Sequence, residues 1–130
     1  MHNNLKLNFC ITKTSIFSIV FFFFLNVYSQ DPKIINTALS ADSTSIIVTF
    51  SEAVYNSTGG SGNLETSDFT LSLCGGNATL LSSMPTSIAV SGNVYTLGLP
   101  LTGITNGFEK VIVWPSSSSA IYDASDNSAL

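Results

Sequence analysis

Four carboxylates and one amide are the residues of this chain whose types and spacing suit chemistry. Asp123, Asp126 and Asn127 fall within one five-residue stretch, Glu52 follows an alternating apolar segment and Asp68 precedes another. Calcium takes about six to eight oxygens from carboxylates, Asn side chains and backbone carbonyls. Asp123, Asp126 and Asn127 are therefore read as a weak calcium site, with Glu52 or Asp68 as candidate extra ligands if the fold carries either to the same end. The same residue types have a second use, because Asp and Asn side chains bond nearby backbone amides and so favour turns. Both readings stand at this point.

Catalysis has less to work with. The single histidine is His2, inside the N-terminal leader described below. Its loss removes Ser-His and Cys-His nucleophile pairs and every His-based metal site. A paired-carboxylate hydrolase would have to draw on Glu52, Asp68, Asp123 or Asp126, and nothing in their spacing sets two of them across a cleft. Gly59-Gly60-Ser61-Gly62 has the glycines of a phosphate loop but no following Lys-Ser or Lys-Thr, so it reads as a flexible, exposed loop. The chain is read as a non-enzyme with no catalytic residue and no cofactor beyond the calcium question.

Residues 1–29 read as a secretion signal: Lys6 and Lys13 precede an apolar run over 16–28 too short for a bilayer, and Val27 and Ser29 suit cleavage before Gln30. An uncleaved anchor is the alternative. Residues 30–130 then form a single domain, with Lys33 and Lys110 against eight carboxylates, a net charge of −6. Two scattered lysines cannot neutralise a run of phosphates, which argues against nucleic acid and against an anionic membrane surface. The expected location is outside the cell or on its surface. Cys74 is the one cysteine after residue 29, so no internal disulfide is available and stability must come from the core. Asn56-Ser57-Thr58 and Asn77-Ala78-Thr79 are glycosylation sequons, relevant if the chain passes through an endoplasmic reticulum.

The elements that would position these residues are short strands. Alternation places Ile46, Val48 and Phe50 on one face and Ile47 and Thr49 on the other; Phe69, Leu71 and Leu73 alternate likewise, and so do Val111 and Val113. Strands are expected near 33–40, 44–50, 69–74, 77–82, 86–90, 94–101, 109–114 and 120–122. Gly75-Gly76 is expected as a two-residue hairpin turn joining 69–74 to 77–82. Residues 64–68 are expected as one helical turn capped by Asn63. No segment has a 3.6-residue period, so the fold class is all-β, an antiparallel Ig-like sandwich of about seven or eight short strands. A small barrel is the alternative. The expected core is Ile46, Val48, Phe50, Phe69, Leu71, Leu73, Leu80, Tyr95, Leu97, Leu99, Val111 and Val113.

Three pieces carry a family resemblance: IIVTFSE at 46–52, Ser67-Asp68-Phe69 leading into a strand, and IYDASDN at 121–127. Together they resemble the bacterial Ig-like repeats of surface-layer and other exported proteins, over about residues 32–127. The chain departs from the pattern at Asp126, where those repeats usually place the glycine of the last turn. The resemblance implies a structural role, as a spacer or adhesion module whose partners are neighbouring Ig-like modules, and it suggests the first module of a longer surface protein. A carbohydrate- or protein-binding module acting through its loops is the alternative, with Tyr55, Tyr122 and Trp114 as its aromatic candidates.

Overall fold

A strand that buries alternate side chains must find a second layer to bury them against, and Ser45–Phe50 sets this requirement most clearly. In the computed structural model, which describes residues 30–129, its burial alternates along the whole strand, with Ile46, Val48 and Phe50 inside. Eight strands are present among the described residues: β1 (Ile34–Leu39), β2 (Ser45–Phe50), β3 (Phe69–Cys74), β4 (Thr79–Leu80), β5 (Ile88–Ser91), β6 (Val94–Gly98), β7 (Leu101–Thr102) and β8 (Lys110–Pro115). One 3-10 turn, Thr66–Asp68, precedes β3. All pairings are antiparallel: a four-stranded sheet ordered β1-β2-β6-β5, and two-stranded pairs β3-β8 and β4-β7. The expected all-β antiparallel sandwich-like fold is what forms.

The two layers meet through aromatic rings. Phe50 and Tyr95 come from neighbouring strands of the larger sheet and Phe69 from β3. Their ring centroids lie 5.5 Å apart for Phe50–Tyr95, 6.1 Å for Phe69–Tyr95 and 6.4 Å for Phe50–Phe69. Tilted and edge-on pairs of this kind contribute about 0.5–1.5 kcal/mol each beyond their area burial. Ile46, Val48, Leu97, Leu71 and Val113 complete the same cluster. On β8 the other face carries Ile112 and Trp114, opposite Ser72 and Thr70; Trp114 is 40% exposed and belongs to the outer face.

Three expectations change. First, residues 77–82 do not return along β3. Gly75 and Gly76 do take the positive φ of a primed turn, 71° and 70°. The amides of Asn77 and Ala78, which would have continued the ladder, donate instead to Oε1 of Glu109 at 3.0 and 3.3 Å. β3 pairs with β8, and only Thr79–Leu80 forms a strand, against β7. Second, the segment 94–101 breaks at Pro100, which has no amide to donate. Its first part stays in the large sheet as β6 and its end joins β4 as β7. Third, residues 120–122 form only isolated bridges, Tyr55 to Tyr122 and Tyr122 to Ser128.

The core also extends beyond the expected strands. Leu73, Leu80 and Val111 are only partly buried, while Val54, Leu64, Ala120, Ile121 and Ala129 are buried from irregular segments. The helical turn at 64–68 is shorter than expected, and Glu65 rather than Asn63 stands at its start, its amide donating to Oδ2 of Asp68 at 2.7 Å. The leader read at residues 1–29 lies outside the described residues. Among the described residues no helix is long and apolar enough to cross a membrane.

Candidate functional site

Buried carboxylates need partners, and Asp123 is 1% exposed. It supplies the frame of the closing turn. Its Oδ1 accepts from the amides of Ser125 and Asn127, both at 2.8 Å, and its Oδ2 accepts from the side-chain amide of Asn127 at 2.8 Å. The backbone adds a bond from the amide of Asp123 to the carbonyl of Asn127, and the amide of Ala129 returns to the carbonyl of Ile121. Residues 123–127 are thus wound around one carboxylate.

Asp126 closes this turn in the left-handed region, at φ 67°. Only glycine, and to a lesser degree Asp and Asn, enters that region cheaply. The aspartate at this position adds something glycine lacks: its Oδ1 accepts the amide of Gly59 at 2.5 Å. That bond crosses to the loop at 56–63. The loop is not the loose excursion its glycines suggest. Ser57 and Ser61 bridge across it, the Ser61 hydroxyl donates to the carbonyl of Thr58 at 3.0 Å, and a Cβ added at Gly60 would come within 3.4 Å of Ala124. Gly62 leaves no room for a side chain, since a Cβ there would run into Oδ1 of Asn56. Reciprocal 2.8 Å backbone bonds between Tyr55 and Tyr122 anchor the loop and the closing turn side by side.

Of the five residues singled out for calcium, the fold therefore joins Asp123, Asp126 and Asn127 in one turn. Glu52 follows β2 and Asp68 precedes β3, next to the paired rings of Phe50 and Phe69. Asp68 is committed to the amide of Glu65, Asp126 to Gly59, and Asp123 to its own turn. Among the described residues no group of three or more His, Cys, Asp and Glu side chains converges.

The most heavily used carboxylate is one the sequence reading does not single out. Glu109, just before β8, accepts from the amide of Asn106 with both oxygens (3.0 and 3.1 Å) and from Gly107 with Oε2 (2.9 Å), besides Asn77 and Ala78. Partial desolvation pushes its pKa up, but the amides of Asn106, Asn77 and Ala78 together outweigh it and hold the group at about 2. Asp42 does the same for the β1–β2 turn. The hydroxyl of Ser40 and the amide and hydroxyl of Thr44 lower its pKa to about 2. An Asx turn is the local signal for Asp42. Glu109 has a weaker one, the Asn106-Gly107 turn two residues earlier.

The remaining candidates are placed as follows. Cys74 is exposed at the end of β3, directly across from Lys110. Of the two sequon asparagines, Asn77 is exposed, whereas Asn56 is half-buried against Gly62, with the Ser57 hydroxyl donating to its Oδ1. A concavity of about 450 Å³ lies between β3 and residues 78–83 and has no titratable side chain in its lining. Trp114 stands between two smaller hollows of about 320 and 300 Å³, the first bounded by Pro32, Lys33, Ile34 and Ala129 and the second by the serines at 116–118. In comparisons with known proteins, no family model, curated protein or solved structure matches the chain.

Proposed function

We propose that the domain is a non-catalytic structural module of a secreted or cell-surface protein, an Ig-like spacer or adhesion unit of the surface-layer type. The observation that carries this reading is the use made of the acidic side chains. Asp42, Asp68, Glu109, Asp123 and Asp126 each accept hydrogen bonds from backbone amides and tie turns to strands or to one another. A carboxylate that served as acid, base or nucleophile would need an oxygen facing a reacting atom, with a pKa tuned near the working pH. Asp42 and Glu109 are tuned the other way, toward permanent ionisation. The leader read at residues 1–29, a net negative charge and an antiparallel sandwich fit the same role. Its neighbours would be further Ig-like modules or extracellular protein or glycan.

The second reading, a glycan- or protein-binding module, rests on Trp114, half-exposed between two hollows. Aromatic faces at such places suit sugar rings and peptide side chains. One experiment separates the two. Trp114 is the only tryptophan in the chain, so its fluorescence reports any occupant of the adjoining hollows. Titration with extracellular polysaccharides and matrix proteins is expected to leave emission unchanged for the structural module. A saturable shift, accompanied by calorimetric binding that disappears in Trp114→Phe, replaces the structural reading with the binding one.

A further inference from the structure

The loop before β8 contains the chain's one Asn-Gly dipeptide, Asn106-Gly107. A glycine after asparagine puts no Cβ in the way when the following amide nitrogen approaches the side-chain carbonyl. Both residues are exposed, and around Gly107, at φ 84°, there is open space. The two reacting groups are nevertheless both held. The Gly107 N–H donates to Oε2 of Glu109 at 2.9 Å, and Oδ1 of Asn106 accepts from the amide of Phe108 at 3.2 Å. Asn106's own amide is shared between both oxygens of Glu109.

We propose that Asn106 is a self-modification site, at which the folded domain converts to isoaspartate and aspartate, and that Glu109 guards it and sets the rate. The Gly107 nitrogen gives up its proton and bonds to Cγ of Asn106. The Cγ–Nδ2 bond breaks and ammonia leaves with the proton, closing a five-membered succinimide. Water then adds to either ring carbonyl and the ring C–N bond opens, so the balance is one water gained and one ammonia lost, with no redox partner. The nitrogen cannot attack while its proton lies on Glu109, so reaction proceeds through states in which this clamp is open. The clamp also reaches Asn77 and Ala78. Isoaspartate at 106 lengthens the backbone and places a second negative charge beside Glu109. Conversion at 106 therefore releases the turn at 75–78 as well as its own loop.

The test is ageing of the full chain at mildly alkaline pH, with isoaspartate at position 106 read by peptide mapping and by enzymatic isoaspartate methylation. The wild type, Glu109→Gln and Glu109→Ala are compared with the wild type unfolded in urea, and circular dichroism checks each fold. The expected result is slow conversion in the folded wild type. Glu109→Ala should convert about tenfold faster, the weight of one hydrogen bond to a charged acceptor, and Glu109→Gln should lie between. If Glu109→Ala does not fold, the comparison of the isosteric Glu109→Gln with the wild type decides the question. A variant rate equal to or below that of the wild type overturns the guard. So does the absence of isoaspartate at 106 in folded variants over the time in which the unfolded chain converts.

Discussion

Replacing Asp126 separates two things this residue does at once. Its φ of 67° favours glycine, and its Oδ1 holds the amide of Gly59. Asp126→Gly removes the bond but relaxes the backbone. The bond is solvent-exposed and worth about 1 kcal/mol, and the relief of left-handed strain is of the same order, about 0.5–1 kcal/mol, so the two nearly cancel. Asp126→Asn keeps an acceptor and a residue type that tolerates the conformation, and should melt within about 0.5 kcal/mol of the wild type. Asp126→Ala loses on both counts, about 2 kcal/mol together. In a domain of roughly 100 residues, each kcal/mol moves Tm by about 4–8 °C, so Asp126→Ala is expected to melt about 8–16 °C lower. Urea and thermal melts measure the stability, and amide exchange at Gly59 measures the bond. Exchange there should quicken in Asp126→Gly and Asp126→Ala even where Tm barely moves. Asp126→Ala melting together with Asp126→Gly would refute the backbone argument. Unchanged exchange at Gly59 in Asp126→Gly would refute the bond.

Calcium and acid provide two further tests. Because both oxygens of Asp123 and one oxygen each of Asp68 and Asp126 are held by amide donors, melts with calcium and with a chelator are expected to coincide; a calcium-dependent rise in Tm would restore the metal reading of the closing turn. Asp42 and Glu109 are held at about 2, below their ordinary values of 3.8 and 4.5. A carboxylate lowered in the folded state contributes stability that is complete above its unfolded pKa and lost as pH falls toward the folded one. Tm should therefore be flat from neutrality to about pH 5, fall between about 4.5 and 2, and fall less in Glu109→Gln, for which an undiminished acid loss would count against the clamp.

Sequence pattern reaches as far as local physics does. The alternation in β2 is readable because each buried side chain there is two residues from the next, and the same holds for Phe69 and Leu71 in β3. Which strand β3 pairs with is not readable in this way. A Gly-Gly turn prescribes a hairpin, and the hairpin fails to form because Glu109, 31 and 32 residues away, takes the amides of Ala78 and Asn77 that it needs. The buried residues without a sequence signal have the same origin. Val54, Leu64 and Ala129 sit in irregular segments with no period, and bonds such as Tyr55 to Tyr122 bring such segments onto the core.

The candidate site shows where residue type stops being informative. Asp123, Asp126 and Asn127 do belong together, since nearness in sequence puts them in one turn. Whether their oxygens face an ion or an amide depends on backbone direction, which composition does not encode. The chain itself supplies a reason for the amide. With no histidine after His2, and two lysines and one cysteine in residues 30–130, that stretch has few cations and no cysteine pair of its own with which to fasten its loops. Backbone N–H groups at turns are the donors that remain, and a carboxylate bonded to several of them stays ionised and fixes the geometry. Glu109 gathers several amides in one loop and Asp123 in another, and Asp126 accepts the single amide of Gly59 across the gap between the closing turn and the loop at 56–63. Acidic residues in a chain of this composition are therefore better read first as fasteners, with a ligand invoked only where an oxygen is left facing open space.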